Sequence, residues 1–406
     1  MAPGTACGWW NPAGDTSAPN STPVVTYKAF SFTEEQVLMR DTVLALLARV
    51  QPDEAIRDQE RTDAYPTDAY AALAGGGWLA LPFDAAHGGA GASHRDLAVF
   101  IEALGYHHPG VTSAFMTTCI YGGLQLQHHA EPALRDELLS RIMAGELRMA
   151  IAYSEPASGS DAAAITTRAI RDGDDYLITG QKVFTTNAHV ADYLIVSTKT
   201  DPTGGHRGIS LFVVPTGSLG VTIAPMDPIG RRTSLPNEVF FDEVRVPAVY
   251  RLGEENSGWP KLMRGLNLER VLLAAAACGQ CLRIIELARA WANERQTFGH
   301  PITHYQAISH KFADMAMLTE TARLHTYNVA RLLDAGEAPV LETAMAKTVA
   351  TENNVKVADL GLQIMGGAGY MRGDMSRLWL DARQGTIGAG TSEIMRNVIA
   401  RHVLES

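Results

Sequence analysis

The sequence predicts an α+β fold: an N-terminal helical domain, a middle antiparallel β domain and a C-terminal helical bundle. Two observations carry this. Apolar residues recur at helical spacing up to about Met149 and again from Ser257, whereas between them lie short β-branched and aromatic runs. Those runs follow one another without intervening helices, which is α+β grammar and not the strand–helix alternation of an α/β chain.

Residues 1–30 are rich in Pro, Gly, Ala, Ser and Thr and read as a disordered extension. They lack the basic start and apolar core of a secretory signal, and only Trp9-Trp10 keeps a docking role open. Residues 31–149 form the first helical block, with apolar periodicity over Glu35–Val50 and His94–Leu104. The cluster Ala86-His-Gly-Gly-Ala-Gly-Ala-Ser93 is glycine-rich but follows no strand, so it is not a dinucleotide fingerprint. Residues 150–255 are the β block, with strands at Tyr176–Phe184, Tyr193–Thr198 and Ile209–Pro215 and turn signals at Asp172-Gly-Asp and Pro202-Thr-Gly-Gly. Residues 256–406 return to helix, opening at Gly258-Trp-Pro260 and continuing through Leu262–Asn293, Tyr305–Ala335 and Leu341–Met365.

A net charge of −10 argues against a nucleic-acid groove, which needs clustered Lys and Arg. No uninterrupted apolar run is long enough to predict a membrane span. Cys7, Cys119, Cys278 and Cys281 are too few for a disulfide framework in 406 residues, which suits a cytoplasmic location. Cys278-Gly-Gln-Cys281 lies in an Ala/Leu-rich helix and reads as core packing. No His/Cys/Asp spacing points to a metal, and no Gly-x-Ser-x-Gly elbow points to a hydrolase.

Five segments carry candidate chemistry. In Leu266-Asn-Leu-Glu-Arg270, Glu269 has Gly265, Leu266, Leu272 and Leu273 at helical spacing. A carboxylate on such a face is desolvated and suits proton abstraction beside a carbonyl; spacing alone also allows a surface glutamate paired with arginine. Ala152-Tyr-Ser-Glu-Pro-Ala-Ser-Gly-Ser-Asp161 is a loop of small residues whose amides can approach an anion, or simply a turn. Gly180-Gln-Lys-Val-Phe-Thr-Thr-Asn187 carries Phe184, by itself a core residue. Glu294-Arg-Gln-Thr-Phe-Gly-His-Pro-Ile302, with Gln306, offers the Arg295 guanidinium to paired phosphate oxygens, or marks a surface helix end. Asp381 to Ile394 holds Gly385–Gly390 before a helix start near Ser392, where free amides favour negative charge.

In this order, and with Gln363-Ile-Met-Gly-Gly-Ala-Gly-Tyr370 between the last two, these segments resemble the acyl-CoA dehydrogenase family from about Thr33 to Leu404. The closing motif of that family often carries the catalytic glutamate, but Ala389 stands there. The chain is similar to the subgroup that places the base on an earlier helix, as in isovaleryl-CoA and long-chain dehydrogenases, and the resemblance puts it at Glu269. By matching position it implies FAD contacts at Ile151, Tyr153, Ser154, Gly159, Ser160, Phe184, Thr185, Thr186, Arg295, Phe298, Gln306, Gln363, Gly366, Gly367, Thr391, Ser392 and Glu393. Phe184 replaces the family's usual tryptophan.

Ser160, Asn267, Arg270, Ala389 and Gly390 are the implied substrate side, with the Ala389 N–H binding the thioester carbonyl. The implied reaction is α,β-desaturation of an acyl thioester of coenzyme A or a carrier protein to the trans-2-enoyl product. Electrons would pass to an electron-transfer flavoprotein from a homodimer or homotetramer. A flavin-dependent oxidase or monooxygenase on the same fold is the alternative.

Overall fold

A computed structural model describes residues 32–405. The expected extension, with Cys7, Trp9 and Trp10, lies outside the described residues.

The first helices are fixed by local signals. At the head of α1 (Glu34–Val50) the Gln36 N–H donates to the Thr33 hydroxyl, while the Thr33 N–H donates to the Gln36 side chain. Ser93 and Asp96 repeat this reciprocal cap on α4 (His94–His107). Between them lie α2 (Asp53–Thr62) and α3 (Thr67–Gly75). After α4, proline opens α5 (Pro109–Phe115), which runs on into a π-helix over Met116–Gly123 and then α6 (Leu124–His129). Proline also opens α7 (Pro132–Met143), which leads to the sheet.

The strands are β1 (Met149–Ala152), β2 (Arg168–Asp172), β3 (Asp175–Lys182), β4 (Tyr193–Lys199), β5 (Ile209–Pro215), β6 (Val221–Pro225) and β7 (Asn237–Pro247). They form one sheet in the order β1-β4-β2-β3-β7-β6, with β5 also paired to β4. Four pairings are antiparallel; β1 runs parallel to β4, and β2 meets β4 through one parallel bridge, Arg168 with Lys199. The period-2 alternation of strands divides the apolar residues between two cores. Ile195, Ile209, Leu211 and Val213 join the helical core, whereas Leu194, Val196, Phe212 and Val214 pack with Val239, Phe241, Val244 and Val246 inside the sheet.

The spine of the last block is α8 (Gly258–Glu294). By length and composition it is apolar enough to cross a membrane, but most of that stretch is buried inside the protein. It crosses α4 backbone to backbone. A Cβ on Gly279 would stand 2.0 Å from the Glu102 carbonyl oxygen, and one on Gly105 would stand 2.4 Å from that of Ala276.

A small hairpin follows, β8 (Gln296–Thr297) and β9 (His300–Pro301), whose two turn residues Phe298 and Gly299 both have positive φ. Then come α9 (Gln306–Asp334), α10 (Val340–Met365), α11 (Gly367–Tyr370), α12 (Asp374–Gln384) and α13 (Ser392–Glu405). Cys278 and Cys281 are both fully buried free thiols.

Candidate active site

The N-terminal half of α8, α10 and the loop before α13 meet around Glu269. Burial pushes the Glu269 carboxyl up to about 7, against the opposing pull of the Tyr121 phenol and of the Arg270 and Lys347 cations. Arg270 Nε donates to the Ala389 carbonyl at 3.0 Å and its Nη1 donates to Asn267 Oδ1 at 3.0 Å. Lys347, fully buried, donates from Nζ to the Gly390 carbonyl at 2.7 Å. Two cations from two helices thus hold consecutive carbonyls of one loop.

That loop turns through the left-handed region, with φ +55° at Ala389 and +92° at Gly390. With the carbonyls drawn back, the Ala389 and Gly390 N–H groups find no acceptor among the described residues. Such amides are what a developing oxyanion requires. The Thr391 hydroxyl accepts from the Ile394 N–H at 3.2 Å, starting α13 with Ser392 buried and Glu393 exposed in its first turn.

The 153–160 loop is held from beneath by a buried ion pair. Lys182 Nζ donates to Glu155 Oε1 at 2.8 Å, to the Tyr153 carbonyl at 3.2 Å and to Ser197 Oγ at 3.1 Å. Glu155 also accepts from the backbone N–H groups of Thr166 and Thr167. Burial alone would raise its pKa, but Lys182 and these hydrogen bonds outweigh it and hold it down to about 2. Ile151 lies on β1; the Ser154 carbonyl accepts from the Val183 N–H at 2.9 Å, and Gly159 and Ser160 are exposed at the loop's tip.

Beside this loop Phe184 is 65 % exposed at φ +56°. Thr185 is buried with its N–H on the Asn237 carbonyl, and Thr186 is half-buried. The hydroxyls of Thr185 and Tyr153 are buried without a partner among the described residues. Tyr153 also lies near both Glu269 and Arg270. An outward aromatic ring beside unpaired hydroxyls suits a flat, polar, partly apolar ring system such as a flavin.

A second group of predicted residues gathers at the other end of α8. A cavity of about 580 Å³ is lined by Arg295, Phe298, Tyr305, Ile364, Gly366 and Gly367. Gln306 and Gln363 are exposed on the adjoining helices and do not line it. The Arg295 guanidinium is exposed and has no partner among the described residues, which suits a phosphate. From Glu269 to Arg295 the helix rises about 39 Å, so the predicted residues form two separate groups.

A smaller cavity, about 280 Å³, opens beside Asn267 and is lined by Gln125, His128, Lys261 and Arg264 among others.

Three contributors carried no sequence signal that was read: Tyr121, Lys182 and Lys347. For Lys347 the signal was present as a lone lysine among Ala344, Ala346, Thr348 and Ala350. For Tyr121 none was, because its neighbour across the site is 148 positions away in the sequence, at Glu269.

The fold and these two groups of residues define a three-domain flavoprotein of the kind expected from the motifs, and the comparisons agree. Residues 33–146, 150–244 and 256–404 match the models of the acyl-CoA dehydrogenase N-terminal, middle and C-terminal domains. The chain is 38% identical over 379 residues to a cyclohex-1-ene-1-carbonyl-CoA dehydrogenase of Geobacter metallireducens, covering 92% of this chain and 98% of the relative. It is 32% identical to the CarC subunit of a caffeyl-CoA reductase-Etf complex of Acetobacterium woodii, covering 92% and 99%.

Among solved structures, an acyl-CoA dehydrogenase from Geobacillus kaustophilus superposes with a TM-score of 0.88 at 31% identity, covering 92% and 98%. PigA, solved as its FAD complex, gives 0.87 at 26% identity, covering 92% and 98%. The chain belongs to the acyl-CoA dehydrogenase family.

Proposed function

We propose that the chain is an FAD-dependent dehydrogenase that desaturates an acyl thioester between its α and β carbons, with Glu269 as the base. The observation that carries this is a carboxyl pushed up to about 7 beside the acceptor-free amides of Ala389 and Gly390. A base poised near neutrality and a set of donors for carbonyl charge are the two requirements for removing a proton α to a thioester.

Bound FAD supplies the acceptor for the β-hydride. Phe184, Thr185, Thr186, Tyr153 and the Ser154–Ser160 loop are suited to hold its ring, and Thr391 to Glu393 lie at the adjoining helix start. Glu269 takes the α-proton at a carboxylate oxygen. The Ala389 N–H donates to the thioester carbonyl oxygen and so acidifies the α-carbon. By holding the Ala389 carbonyl, Arg270 fixes the plane of the next peptide and so the neighbouring Gly390 N–H, and with Asn267, Gly390 and Ser160 it forms the substrate side. With Ala389 in the closing loop, this reading assigns the chain to the subgroup whose base sits on the earlier helix.

Arg295, Phe298, Gln306, Gln363, Gly366 and Gly367 would take the adenosine diphosphate end. About 39 Å of helix separates Arg295 from Glu269, more than one extended FAD spans. The two ends of one cofactor would therefore be held by two copies of the chain, which favours a homodimer or a homotetramer. The carrier is coenzyme A or an acyl carrier protein, and an electron-transfer flavoprotein is the proposed acceptor, as the name of the Acetobacterium relative indicates for that protein.

The test is anaerobic bleaching of the flavin by butyryl-, isovaleryl-, octanoyl- and palmitoyl-CoA. Bleaching by at least one, with the matching trans-2-enoyl product, is expected. No bleaching by any thioester would reject the reading, and turnover coupled to oxygen uptake would favour the oxidase alternative.

A further inference from the structure

Tyr121 belongs to none of the motifs, yet the helix that carries it is built to aim it. Residues Met116–Gly123 are π-helical, with the Leu124 N–H reaching back to the Cys119 carbonyl. Such a widened turn inside an α-helix re-aims side chains and recurs at functional sites. The two residues after Tyr121 lock the turn. A Cβ on Gly122 would meet Met149 Cβ at 2.5 Å, and one on Gly123 would meet the Phe83 ring at 2.5 Å. That face is jammed against β1 and Phe83, which leaves Tyr121 facing α8.

The register between α6 and α8 then fixes its partner. Gln125 Nε2 donates to the Lys261 carbonyl at 3.4 Å, and a Cβ on Gly265 would stand 2.7 Å from the same nitrogen. His129 lies within electrostatic reach of Lys261. Each step of four residues back along one helix therefore matches four forward along the other. From Gln125 opposite Gly265, one step places Tyr121 opposite Glu269. The two side chains face each other there, close enough for the phenol and the carboxyl to influence each other's protonation. The other charged or titratable groups facing this pair are Arg270 and Lys347 towards Glu269, Tyr153 from the β-domain loop, and Arg231 towards Tyr121.

We propose that Tyr121 is the positioning residue for the catalytic base, donating its phenolic hydrogen to the Glu269 carboxylate and holding it towards the substrate's α-carbon. This rests on Glu269 being the base. A hydrogen bond to the charged form favours that form, so the phenol offsets part of the cost of burying the carboxylate. Burial also pushes the phenol's own pKa well above its ordinary value, so it remains a donor across the working range.

The experiment is the pH profile of flavin bleaching in the FAD-loaded enzyme, using whichever of the four acyl-CoA thioesters bleaches fastest. Tyr121→Phe keeps the ring packing and removes only the donor. Its acid limb should move up by about one pH unit, the equivalent of a tenfold change. Activity should then fall about tenfold below the limb and much less above it, with FAD content unchanged. Replacing Tyr121 by an ortho-fluorinated tyrosine is nearly isosteric, makes the phenol a stronger donor, and should move the limb down.

A limb that stays in place in a folded, flavin-loaded Tyr121→Phe enzyme overturns the proposal. If that variant does not fold, an unmoved limb in the fluorinated protein overturns it equally. Glu269→Gln is measured in parallel. If it stays active, the base assignment itself is wrong; if it is inactive while both Tyr121 profiles are unmoved, only the role of Tyr121 fails.

Discussion

Glu269 and Arg295 stand on the same helix, and their surroundings are opposite in kind. Around Glu269 the chain supplies the supports itself: Arg270 and Lys347 hold the loop carbonyls, Asn267 holds Arg270, and Tyr121 faces the carboxyl. Around Arg295 the supports are missing. Phe298 is 91 % exposed, Tyr370 77 % exposed, and the guanidinium has no partner among the described residues. The first region is finished within one chain and is organised for chemistry before anything binds. The second lacks such supports among the described residues, as the proposed sharing of the cofactor between copies would lead one to expect.

This contrast is broken or sharpened by variants at each end. The largest effect is expected from Glu269→Gln, which keeps the shape of the side chain but cannot accept the α-proton. Bleaching should slow by about 10²–10⁴-fold, the usual contribution of a positioned base, while FAD stays bound. Bleaching at the parental rate would move the base elsewhere and remove the contrast.

Lys182→Met tests whether the floor beneath the 153–160 loop is equally preorganised. Removing one partner of a buried pair costs about 3–5 kcal/mol, because the other charge is left stranded. Here the stranded group is Glu155, 5 % exposed and tied to Thr166 and Thr167. The melting temperature of the loaded enzyme should fall sharply, and FAD should dissociate more readily. An unchanged melting temperature would mean that Lys182 does not hold the loop.

Arg295→Ala should act on the other end alone. Loss of a hydrogen bond to a charged group costs about 1.5–3 kcal/mol, or about 10–100-fold in FAD affinity, with the melting temperature of the FAD-free protein unchanged. Titration of the FAD-free protein with FAD reads this directly. Unaltered affinity would remove the phosphate role from Arg295.

The two regions also differ in how far the sequence reveals them. The order of helices and strands was legible because it rests on local signals: the helical spacing of apolar residues over Glu35–Val50 and His94–Leu104, the proline after Gly258-Trp, and the β-branched and aromatic runs of β4 and β5. The positions of Glu269, Arg270 and Ala389 were legible through motif resemblance, because each lies in a contiguous segment. Tyr121 was not, because its meaning depends on a π-turn and on glycine contacts with Met149 and Phe83, both tertiary facts. Lys347 and Lys182 were missed for a related reason. A buried lysine is costly unless it is paired, and the partners, the Gly390 carbonyl and Glu155, are 43 and 27 residues away in sequence. The parallel pairing of β1 with β4 was equally hidden, since it joins strands separated by β2 and β3.

The smallest effect follows from the cost of keeping Glu269 ready. Its carboxyl is raised from the ordinary value of 4.5 to about 7, chiefly by burial. Below the unfolded value both states are protonated, and the group costs the folded state nothing. Between the two values the unfolded chain ionises while the folded one does not, so stability falls as pH rises. Above the folded value both are ionised and the penalty is constant. Glu269→Gln removes the ionisation without removing the side chain. It should raise the melting temperature by a few degrees at about pH 8 and by clearly less at about pH 5. Arg295→Ala, at an exposed site, should show no such dependence. A gain that is equal at both pH values, or a loss at the higher one, would mean that burying the charge of Glu269 is not what the folded state pays for.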